Sequence, residues 1–153
     1  MRGTRFILSA LVLALLGVAL FQFSRQDLSG PRAQVHGVSL KLLVATTTTA
    51  EERGLGGRDA LPSDTGMLFV FSEPGPYGIW MKDMRFPIDV FWLGAKGQVV
   101  SMVRDMATST YPHVFYPPLP ATYVLETDAG FAARALVATG TVFELQNISS
   151  VSK

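Results

Sequence analysis

The residues best equipped for chemistry cluster in one short block. Lys82, Asp83, Arg85 and Asp89 lie within eight positions, interleaved with Trp80, Met81, Phe86 and Ile88. Charged groups between large apolar ones make up a ligand pocket: an apolar wall to exclude water and a few polar groups to fix orientation. In that reading Trp80 is the wall, and Lys82 with Asp83 supply the contacts. The structural alternative puts Trp80 and Met81 in the core and leaves Lys82 and Asp83 on a solvated turn. Arg53, preceded by two acids and followed by glycines, has the planar fork that grips carboxylate or phosphate bidentately. It could equally pair with Asp89 or Glu126 inside the protein, and internal pairing is the simpler expectation.

Asp83, Asp89 and Glu126 are the trio from which a general acid–base pair would be drawn. A hydrolase would use Asp83 or Asp89 with Glu126, facing each other across an open cleft. Other chemistries are excluded or unsupported. The chain has no cysteine and two histidines, His36 and His113, so thiol catalysis, iron–sulfur ligation and cysteine- or histidine-rich metal sites are ruled out. Neither a serine nucleophile elbow nor a phosphate loop occurs. No cofactor is expected. With 13 basic and 12 acidic residues in 153, there is no basic excess of the kind that phosphate contacts demand, so nucleic acid is not an expected partner.

The elements around these residues read as mostly β. Val38, Leu40, Leu42 and Val44 alternate with more polar neighbours, the period of a half-buried strand. Thr48 and Thr49 each precede a glutamate by three residues, predicting a capped helical turn through Glu51–Arg53 that ends at the glycines. Strands are expected over 66–71, 77–82, 88–93, 98–106, 122–127 and 141–145, with a hairpin loop at Gly94–Gly97. Residues 107–120 form a proline-rich aromatic loop, and the alanine-rich segment 129–138 predicts a helix. The sum is a compact β-barrel or sandwich of about seven short strands with one or two short helices, spanning 38–146 and followed by a tail over 147–153.

Ahead of it, Arg2 and Arg5 precede an uncharged apolar run from Phe6 to Phe23. That order is the pattern of a signal peptide or signal anchor, and eighteen helical residues would reach about 27 Å, near the thickness of a bilayer core. The arginines would stay in the cytoplasm and the domain would face outward, with membrane contact through 6–23 if the segment is uncleaved. Without residues 1–23 the remainder carries 11 basic and 12 acidic residues. The polar stretch 24–37, with Gly30-Pro31, reads as a linker.

Several segments together resemble one known family. They are Arg53-Gly54-Leu55, Leu61-Pro62 with Gly66–Phe71, Trp80-Met81-Lys82-Asp83-Met84 with Pro87-Ile88-Asp89-Val90, and Val124-Leu125-Glu126 with Gly130. In this order they are similar to the domain-of-unknown-function family 192. The resemblance implies a compact all-β domain, often behind a signal sequence or anchor, and implies no reaction. Two positions depart from the family pattern: Gly56 stands where a large apolar residue is usual, and Asp83 where asparagine is usual. The leading expectation is a non-enzymatic, extracytoplasmic binding or accessory domain whose small ligand or envelope protein partner meets Arg53, Trp80, Lys82, Asp83, Asp89 and Glu126. The paired-carboxylate hydrolase and a structural subunit of a membrane complex are the alternatives.

Overall fold

A computed structural model describes residues 30–148. The apolar segment 6–23 and most of the tail lie outside these residues, and no described helix is long and apolar enough to cross a membrane. Seven strands form one curled sheet, a half-barrel: β1 Arg32–Val35, β2 Val38–Ala45, β3 Thr65–Gly75, β4 Ile88–Leu93, β5 Val99–Met106, β6 Ala121–Asp128 and β7 Glu144–Gln146. Their order across the sheet is β5-β4-β6-β3-β2-β1-β7. All neighbours run antiparallel except β2 and β3, which are parallel and joined by helix α1, Thr48–Arg53. A second short helix, α2, covers Phe131–Arg134.

Alternation along the strands divides the apolar residues between the two faces. Leu40, Leu42, Leu68, Phe91, Leu93 and Leu125 point to an inner core that α2 and Phe143 complete, whereas Met67, Phe69, Val90, Trp92 and Val124 point to an outer one. Strand β4 is buried at all six positions because it lies under both cores. The outer face is covered by Leu55, Leu61, Ile79 and Met81, all from the loops around α1 and before β4.

The two edges of the sheet approach each other through a single segment. Thr141 accepts from Val99 N at 2.8 Å and Phe143 N donates to Gly97 O at 2.9 Å. Three residues on, β7 pairs with β1, Arg32 opposite Gln146. Gly97 sits at φ +77°, and a Cβ there would collide with the Phe143 carbonyl, so this closure requires glycine.

Sequence expectation and structure differ at four places. Residues 32–35, read as linker, form β1: Ala33 and Val35 face inward, and a turn at His36 and Gly37, both at positive φ, folds them onto β2. Segment 77–82 is no strand; it makes an isolated bridge, Ile79 to Phe115, with the aromatic loop. The 129–138 helix shrinks to one turn, since Leu136 adopts φ +54°. Finally, of the caps offered by residues 47–50, Thr47 serves, its hydroxyl accepting from Ala50 N at 3.2 Å, while Thr48 and Thr49 of the capping-box pairs lie inside the helix.

Candidate functional site

Helix α1 and the segment Gly78–Met84 face each other over the outer side of the sheet. Backbone contacts hold them together: Gly57 N donates to Asp83 O at 2.9 Å. Gly56 packs so closely that a Cβ would stand 2.9 Å from Arg53 O and 3.2 Å from Lys82 O. A larger residue here would need the two backbones to separate. Asp83 has φ +57°, a left-handed turn conformation that asparagine and aspartate adopt more readily than most residues. Aspartate at this position therefore has a backbone explanation that involves no ligand.

Three adjoining hollows run along this seam. An open one of about 740 Å³ is lined by Thr49, Glu52, Arg53, Lys82, Asp83 and Arg85 among others. A second, of about 470 Å³, has an aromatic wall of Phe69, Phe71, Tyr77 and Trp80. Between them a narrow pocket of about 60 Å³, lined by Arg53, Gly54, Ile79, Trp80 and Lys82, descends to Glu126. Lys82 lines all three, and its Nζ lies 5.6 Å from the centre of the Trp80 ring. Trp80 is 44% exposed and leans on Tyr111 at 5.9 Å, so it forms a shelf rather than core; Met81, next in sequence, is the buried one. Arg85, at the edge of the open hollow, is tied by an ion pair to Asp59.

Glu126 is the unusual residue. It lies on β6 between Met67 of β3 and Val90 of β4, 5% exposed, and its Oε2 has no hydrogen-bond partner. Burial among apolar neighbours disfavours the charged form and pushes its pKa up to about 8, so at neutral pH the carboxyl is protonated and can donate. Gly54, at φ +50°, leaves the approach open: a Cβ there would come within 4.0 Å of Glu126 Oε2.

Of the six residues singled out in the sequence, Arg53, Trp80, Lys82 and Glu126 line this narrow pocket and Asp83 lines the open hollow beside it. Asp89 does not belong. It is opposite Thr127, one step from the Val90–Glu126 pair, and so points to the inner face. There its two oxygens accept from Asp105 N at 2.8 Å and Ala132 N at 2.7 Å, fastening β5 and α2 to β4. A carboxylate pair of Asp89 and Glu126 across a cleft is thus not formed, because a sheet separates them. Arg53 is not paired with either acid. Glu51, Glu52, Gly54, Gly78 and Met84 also line the seam; their apolar or helical setting gave no signal in the sequence, apart from the glycines.

Comparison with curated proteins gives no match. Two solved structures share the fold. A candidate transcription regulator from Sinorhizobium meliloti is 28% identical with a TM-score of 0.69, over 75% of this chain and 91% of that one. A protein of unknown function from Novosphingobium aromaticivorans is 24% identical with a TM-score of 0.66, over 74% and 82%. The family model described as "Uncharacterized ACR" matches residues 32–145, the curled sheet from its first strand to its last, and on that match the chain belongs to the DUF192 family.

Proposed function

We propose that this protein is an extracytoplasmic binding domain that takes a small organic ligand in the seam between α1 and Gly78–Met84, without catalysing a reaction on it. The observation that carries this reading is Glu126, a carboxyl buried at the foot of an open cleft whose Oε2 has no hydrogen-bond partner among the described residues. A buried polar group without a partner costs about 1–3 kcal/mol, and a fold holding one beneath exposed Arg53, Lys82 and Trp80 is consistent with the partner arriving from outside. The outward location rests on Arg2 and Arg5 preceding the apolar run 6–23. The Sinorhizobium protein is described as a transcription regulator; for this chain a role that works through nucleic-acid contact has no basic excess in the sequence to support it.

A ligand-observed NMR screen of small organic acids, amines and sugars against the full chain tests the reading. Hits should disappear in the double variant Arg53→Ala, Lys82→Ala, while the melting temperature holds, since neither side chain makes an ion pair. Hits indifferent to that variant, or none, would overturn it. Carbonate extraction of membranes tests location: the intact chain should pellet if the segment is a tether, and a shortened soluble form outside the cytoplasm would show a cleaved signal. Recovery in the cytoplasm would refute export.

A further inference from the structure

The chemistry of the narrow pocket narrows the ligand class, given the binding role proposed above. The geometry points to a small organic carboxylate with a flat apolar body. Its head lies at the foot of the pocket, between Glu126, Lys82 and Arg53, and its body lies against Trp80 and Ile79.

Size comes first. About 60 Å³ has room for a few waters or one carboxylate, not for a ring, so the polar end enters and the body stays in the wider hollows beside it. Charge comes second. The cations at the mouth, Lys82 and Arg53, suit an anion, and neither forms an ion pair among the described residues. A ligand ammonium would meet them as like charges. Protonation comes third. Glu126 in its neutral form donates its O–H to a carboxylate oxygen of the ligand, where an ionised carboxylate would repel it. The acids on the α1 side do not reverse this. Glu52 is exposed and solvated, and Glu51, half-buried on the same pocket wall, has an interaction of its own. From β3 and β4 only Met67, Phe69 and Val90 face Glu126, and none is ionisable. The aromatic shelf supplies the last element: exposed Trp80, with Lys82 over its ring, is a surface on which a flat ligand body stacks.

Three probes of one shape separate the possibilities: phenylacetate, benzyl alcohol and benzylamine, titrated into the full chain and followed at the Trp80 indole by NMR. Phenylacetate should bind about tenfold or more tightly than the alcohol, the scale of a charge-assisted hydrogen bond, and benzylamine should not shift the signal. Lys82→Ala should weaken phenylacetate by about tenfold, and Glu126→Leu should remove its binding while the fold persists. Glu126→Gln, which still donates, should bind with an affinity that stays level through pH 8, where the parent protein loses affinity. Preference for the alcohol or the amine would overturn the carboxylate assignment and leave the binding seam standing. No shift at Trp80 with any probe would overturn both.

Discussion

Two carboxylates are buried in this sheet, one residue out of register on adjacent strands, and they are treated in opposite ways. Asp89, on the inner face, is fully covered and satisfied by two backbone amides from two other elements. Glu126, on the outer face, is nearly as covered, and its Oε2 finds no hydrogen-bond partner among the described residues. Their setting differs more than their burial does: the inner face is sealed by α2 and by the strand closure, while the outer face is roofed by loops with a seam between them. A buried acid therefore says little about function until its partners are counted. The satisfied one organises the fold, and the unsatisfied one stands where a ligand can reach it.

Substitutions can break this contrast. Asp89→Ala should have the largest effect, a loss of about 3–5 kcal/mol, because it strands the buried N–H of Ala132 and the partly buried one of Asp105 and detaches α2 from β4. Chemical denaturation would measure it, and a loss below about 1 kcal/mol would mean the amides find other acceptors. Glu126→Gln should act in the other direction. The folded-state pKa of about 8 lies above the ordinary 4.5, so between those values the unfolded chain has released a proton that the folded one retains, and stability falls as pH rises. The variant removes this dependence. It should match the parent near pH 4 and exceed it by about 2–3 kcal/mol at pH 7. Equal stability at both pH values would show that the carboxyl finds a partner in solution.

Gly97→Ala tests the seal of the inner face. It should cost about 2–3 kcal/mol, from the positive φ and the clash with Phe143 O, and it should leave probe binding at Trp80 unaltered. Gly56→Met tests the seam instead, where prising Arg53 from Lys82 should cost about 1–2 kcal/mol and weaken binding. The smallest effect is expected of Arg134→Ala. Its ion pair with Asp128 is partly exposed, so the cost should be about 0.5–1 kcal/mol and shrink in high salt.

Much of this fold was legible because alternation is a strong signal. Strands β2 to β6 announce themselves through Leu40 and Leu42, the run from Met67 to Phe71, and the apolar stretch around Trp92. Strand β1 did not, since four residues beside Gly30-Pro31 carry too little pattern to outweigh a turn signal. Segment 77–82 carried a false one: Trp80 and Met81 look like strand residues, but Tyr77 is tied elsewhere, its hydroxyl donating to Glu73 O and its carbonyl accepting from the Trp92 indole. Within the site, nearness in sequence misled for Asp89, which is six residues from Asp83 and on the far side of a sheet. Glu126 was visible as an acid closing an apolar strand. That it lacks a partner depends on what α1 and Gly54 leave uncovered, which no local pattern encodes.

The segment that joins the two sheet edges also has a consequence for how the chain folds. Residues 141–146 bond to β5 on one side and to β1, more than a hundred residues earlier, on the other. The inner core therefore cannot close until residues 141–146 are present, and contacts over such separations form slowly. A chain emerging from its N-terminus would carry Leu40, Leu68 and Phe91 on an open sheet until then. For this domain, the dangerous interval lasts until residues 141–146 have emerged.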